Sequence, residues 1–186
     1  MSTRTALFLI AVVVFVSVLG LITAYYVRRA SRTSAGGWKQ LLGRLTMMDR
    51  DGLAQVALDY ADESGNRRTD DSDAELESSR IWKLIGGLEG LEALESNSAV
   101  LVDLAFYVQQ WYPEAVVLAE ELRLNAREIQ WHVERLRGAA KTGNLESSFA
   151  AYAQPAIAKY YLMTRQVLAL YARGNMPMFS DLQRAI

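Results

Sequence analysis

The apolar positions of this chain change their arrangement once, and the change divides it into two parts. From Thr5 to Val27 they form an almost unbroken run, with LFLIAVVVFVSVLGLITAYYV as its apolar part and no charged residue. From Trp38 onward they recur at every third or fourth position with polar residues between them. A run of roughly 23 residues extends about 34 Å as a helix, enough to cross a hydrocarbon core of about 30 Å. The pattern therefore predicts one transmembrane helix over 5–27, after a short flank of 1–4. The segment is longer than the apolar core of a secretory signal. Retention is expected, although Ile22-Thr23-Ala24 resembles a cleavage site. Gly20 and Ala24 are spaced to let two spans approach, yet such pairs are common in apolar helices and serve ordinary packing equally well.

Behind the run, 28–37 reads as a basic juxtamembrane linker, ending in small and polar residues from Ser31 to Gly37. Helical periodicity then begins. Trp38, Leu41, Leu42, Leu45 and Met48, followed by Leu53, Val56, Ala57 and Tyr60, predict one helix weakened at Asp51-Gly52, or two short ones. The stretch 63–73, ESGNRRTDDSD, lacks large apolar residues and reads as a solvated acidic loop. A helix is expected over 74–94, where Gly86, Gly87 and Gly90 mark either a close helix neighbour or a break at Gly86-Gly87. Ser96 or Asn97 then suits the cap of a further helix, running to Tyr112 and apolar on most of its circumference. Asp103 is the exception in it, facing outward or paired with an arginine.

Pro113 and Glu114 suit the first turn of another helix. Leu118, Leu122, Ala126, Ile129, Val133, Leu136 and Ala140 follow at spacings of 4, 4, 3, 4, 3 and 4, up to Gly143-Asn144. Phe149, Ala153, Ala156, Tyr160, Met163, Val167 and Leu170 repeat that stripe, with Pro155 expected to kink it or mark its start. Two such stripes joined by a Gly-Asn turn predict an antiparallel helical hairpin. The expected fold class is therefore all-α. A single N-terminal transmembrane helix precedes a soluble multi-helix bundle of about five helices over 38–174, with a long C-terminal antiparallel hairpin and a tail over 175–186.

Composition agrees with this layout and narrows the function. The 20 basic and 21 acidic residues leave a net charge of -1, which gives no general attraction to nucleic acid. Locally the charge is polarised. Arg28, Arg29 and Arg32 after the span outweigh Arg4 and the amino terminus before it, which places the N-terminus outside and the C-terminal domain in the cytoplasm. Arg28, Arg29, Arg32 and Lys39 are the candidate contacts to lipid headgroups, although the helix carrying Lys39 also serves as an ordinary first core helix.

The chain has no cysteine and one histidine, His132, so thiolate chemistry, disulfides and multi-histidine metal sites are excluded. Glu128 lies one turn before His132 and would orient it, but no nucleophile or oxyanion element stands near them in sequence, and a core histidine beside Trp131 is the simpler reading. Tyr152, Tyr160, Tyr161 and Tyr171 would line an aromatic pocket between helices or merely pack a core. The tail either docks on the bundle or offers Met176, Met178, Phe179 and Leu182 to a partner. No cofactor is expected.

The leading expectation is a membrane-anchored, non-enzymatic interaction or scaffold protein at the cell membrane. Its bundle would bind an unidentified protein partner or form a homo-oligomer through the last hairpin or the tail. The alternative is an extracytoplasmic helical domain that senses or carries a ligand. An unrecognised enzyme built on His132 and Glu128 is the third reading.

Overall fold

The computed structural model of the chain describes residues 3–62, 65, 67 and 76–186, with side chains described at all of these except 3–7, 22 and 25–36. Seven helices account for most of them: α1 (Thr3–Leu42), α2 (Arg50–Tyr60), α3 (Ser78–Ile85), α4 (Gly87–Val108), α5 (Ala115–Thr142), α6 (Leu145–Arg173) and α7 (Phe179–Ala185). Among the described residues no strand forms, and extended chain pairs only at an isolated bridge between Ala61 and Arg67. Most of the acidic stretch 63–73 lies outside the described residues, as do the side chains of Arg28, Arg29 and Arg32.

The centre of the bundle is α4, whose buried residues include Leu91, Leu94, Val100, Leu101, Leu104, Ala105, Phe106 and Val108. A helix with so little polar circumference must be covered on several sides. The long pair α5 and α6 packs on it and on each other, α2 lies against α6, and the last turn of α1 lies against α4. The α5–α6 turn has the expected chemistry. Asn144 N donates to Ala139 O at 2.9 Å and Gly143 N to Ala140 O at 3.4 Å, so the last carbonyls of α5 are satisfied as the chain reverses. The two predicted stripes face inward, with Leu122, Ile129, Val133 and Leu136 from one arm and Phe149, Ala153, Met163 and Val167 from the other buried.

Three boundaries differ from the sequence pattern. The expected linker 28–37 is helical, as part of α1, and the break comes at Gly37, with φ 68 and ψ 158. The next interruption falls at 43–49, with Gly52 inside α2, because tertiary hydrogen bonds hold this segment open. Thr46 N donates to Asn97 Oδ1 at 2.9 Å, and Asn97 Nδ2 donates back to Thr46 O at 2.8 Å. That use of Asn97 explains the third difference: Asn97 is buried in mid-helix rather than capping a new helix, and α4 runs unbroken past it. The α3–α4 corner follows one of the two expected alternatives, since the chain breaks at Gly86-Gly87 with φ of 78 and 68. Pro155 lies within α6, which remains one helix through it.

Among the described residues no helix is long and apolar enough to cross a membrane. Within the apolar run of α1, side chains are described from Phe8 to Leu21 and at Thr23 and Ala24, and all of them are exposed. The bundle closes its core without them. Trp38, one residue past the Gly37 break, is the first of the described side chains of α1 to be buried in that core.

Candidate functional site

Three places on the bundle collect chemistry or exposed apolar surface. The first surrounds His132, which is turned into the interface of α5 and α6 and is nearly buried. Its ring lies 4.9 Å from that of Trp131 and 6.0 Å from that of Tyr152, centroid to centroid. Burial pushes its pKa below the ordinary value, Glu128 raises it, and Lys159 adds a smaller lowering. Glu128 is engaged across the hairpin by Lys159 at 3.1 Å. Nδ1 of His132 is buried with no hydrogen-bond partner among the described residues. The imidazole is packed against the rings of Trp131 and Tyr152 inside the hairpin.

The sign of its pH linkage follows. A histidine whose folded pKa lies below the unfolded 6.5 stabilises the fold fully above that pH and loses this contribution as pH falls through the folded pKa. Thermal unfolding of the wild type between pH 8 and pH 5 is therefore expected to show a decline below about 6.5 that His132→Leu lacks. Parallel pH profiles for the two proteins would contradict the burial assignment.

The second place is a groove of about 290 Å³ between the segment before α2, the middle of α6 and the end of α7. Leu53, Met48, Leu168 and Ile186 supply its apolar walls, with Tyr160 and Tyr161 beside them. Arg50 donates to the carbonyl of Arg184 and so ties the last turn of α7 to the start of α2. The guanidinium of Arg165 lies 5.9 Å from the centre of the Tyr161 ring. Of the four tyrosines singled out above, only Tyr160 and Tyr161 line this groove. Tyr171 is in the core, donating to Leu104 O at 3.0 Å, and Tyr152 stands beside His132.

The tail residues are also accounted for. Leu182 is fully buried, and Met176, Met178 and Phe179 are partly buried against the core. The tail is docked, so Leu182 is not a side chain held out to a partner: its burial between α7 and α6 is what fixes α7 in place. Lys39 is exposed. Asp103 has the arginine partner anticipated for it, Arg44, at 2.9 Å.

The third place is the outer side of α5, where Val117, Leu124 and Trp131 are 76%, 58% and 46% exposed. Their seven-residue spacing puts them on one face, within about 40° of one another, since each step of seven falls about 20° short of two full turns. Neighbouring charges are already engaged: Glu121 accepts from Gln166 at 2.7 Å, and Glu120 pairs with Arg123 at 2.7 Å. Arg135 lies over the Trp131 ring at 5.1 Å. Sequence periodicity missed this row because the inward stripe of α5 is stronger. The signal was present in the apolar residues left over at a period of seven.

Among the described residues no group of three or more His, Asp or Glu side chains could hold a metal ion. Comparison of the chain with protein-family models, curated proteins and solved structures finds no match.

Proposed function

We propose that this protein is a membrane-anchored, non-enzymatic interaction protein, with 5–27 spanning the bilayer and the bundle binding a helix through the outer face of α5. The observation that carries this reading is a division of labour. The apolar run of α1 is exposed at every described side chain from Phe8 to Leu21, while the bundle buries a core that needs none of them. An uncharged apolar row of that kind is stable only with apolar surroundings, and a bilayer provides them. Arg28, Arg29 and Arg32 against Arg4 and the amino terminus support a cytoplasmic side for the bundle. Tethering would raise the effective concentration of the bundle toward partners in the same membrane.

The contact surface assigned to the hairpin is the row Val117, Leu124 and Trp131. An apolar row at a heptad spacing fits a helix laid along it, from a second protein or a second copy of the chain. A photo-reactive residue at position 124 is expected to give a discrete adduct in native membranes, and the same residue at position 83, on the exposed side of α3, none. Adducts at both positions, or at neither, would remove the assignment.

The second reading, a ligand carried between helices, is favoured by the groove beside Tyr160 and Tyr161. Its apolar walls and the guanidinium groups of Arg50 and Arg165 suit a small amphiphile with an acidic head. A fluorescent fatty acid that bound the full chain in detergent and was released by Leu168→Trp would favour this reading over the first.

A further inference from the structure

The point at which α1 enters the bundle is fixed by Trp38. Its ring lies 5.2 Å from that of Tyr171, near the end of α6, and 6.1 Å from that of Tyr107, near the end of α4. From there the chain runs back along α4, with Arg44 reaching Asp103 and Thr46 reaching Asn97. The end of the bundle where α1 emerges is therefore the end where α4 finishes, α5 begins and α6 finishes.

That end has an exposed aromatic surface. Trp111, in the turn between α4 and α5, stacks edge-on against Tyr107 at 5.1 Å yet remains 55% exposed. A chain of rings thus runs from buried Trp38 through Tyr107 to exposed Trp111. Pro113 beside it is exposed. Lys39 and Arg173 are exposed cations at the same end, and Arg173 shares a surface depression with Tyr112 and Glu114. Glu114 and Glu121 are acids of the same depression; the Glu114 carboxylate accepts from the Tyr112 hydroxyl at 2.6 Å, and Glu121 accepts from Gln166 at 2.7 Å.

We propose that this end of the bundle rests on the bilayer that α1 enters, with Trp111 in the headgroup region and Lys39 and Arg173 over lipid phosphates. The inference depends on the anchor reading and goes beyond it, since a tethered bundle could equally hang free of the surface. Two features name lipid as the occupant: α1 leads from its apolar run through 28–37 into this end of the bundle, and the flanking Lys39 and Arg173 are cationic. Indole has an apolar body and a polar N–H, and it prefers the boundary between hydrocarbon and water. The basic side chains add attraction to anionic lipid.

The test uses the full chain reconstituted in vesicles of phosphatidylcholine and phosphatidylglycerol, with phosphatidylcholine brominated either near the headgroup or deep in the acyl chain. Shallow bromine is expected to quench wild-type tryptophan fluorescence. W111F should lose most of the quenched component without change in helical content, and deep bromine should not distinguish the two proteins. A chain retained in vesicles through alkaline carbonate, but quenched identically in wild type and W111F, overturns the resting orientation and leaves the anchor standing. A chain released by carbonate overturns both.

Discussion

Trp38→Ala is expected to cost about 3–5 kcal/mol in unfolding free energy, the range for truncating a large buried aromatic side chain. Trp38 is buried in the core and packs against Tyr107 and Tyr171. Its loss opens a cavity where three helix ends meet, so the damage is not local to α1. Trp38→Phe is expected to be far milder. The indole Nε1 is buried with no hydrogen-bond partner among the described residues. Phenylalanine removes that unsatisfied donor, whose burial costs about 1–3 kcal/mol, and offsets part of the volume it gives up. Denaturant unfolding of the full chain in mild detergent measures both. Equal losses in the two variants would mean that the indole N–H has a partner and that the volume argument is incomplete.

Gly90→Ala is the second severe change, expected to exceed about 3 kcal/mol, beyond the usual range for overpacking. A methyl group there would lie 1.6 Å from the carbonyl oxygen of Ile85 and 2.7 Å from its carbonyl carbon. The obstacle is backbone, so the α3–α4 corner must open before the side chain fits. Gly138→Ala is the opposite case. Nothing lies within 4 Å of the added methyl and the position is helical, so the change should stabilise α5 by about 0.5–1 kcal/mol. The same unfolding measurement reads both. A mild effect at Gly90 would show that α3 is not held against the first turn of α4.

These two sites mark the boundary of what the sequence carried. The α5–α6 hairpin was legible because each arm repeats its apolar stripe without interruption and Gly143-Asn144 supplies the turn. Boundaries settled by long-range contacts were not. Asn97 reads as a cap in isolation, and only its hydrogen bonds to Thr46 and Tyr160 show why a polar residue sits inside α4. The three glycines near residue 90 signalled a close approach or a break. The structure uses both, a break at Gly86-Gly87 and a close approach at Gly90, and the choice depends on how α3 folds against α4. The histidine beside Trp131 was legible as a packed residue. The groove was not, because α2, α6 and α7 are distant in sequence and only the fold brings them together.

The tail follows the same logic. Phe179, Leu182 and Ile186 have helical spacing, which is compatible with docking or with display. Burial of Leu182 decides for docking. The outer row of α5 remains exposed, at a period that the inward stripe concealed.

The central claim is that 5–27 anchors the chain in a bilayer, and alkaline carbonate extraction of native membranes followed by density flotation tests it most directly. The full chain is expected to remain in the floating membrane fraction, and a chain beginning at Ala35 to stay helical and appear in the soluble fraction. Release of the full chain by carbonate would contradict the anchor.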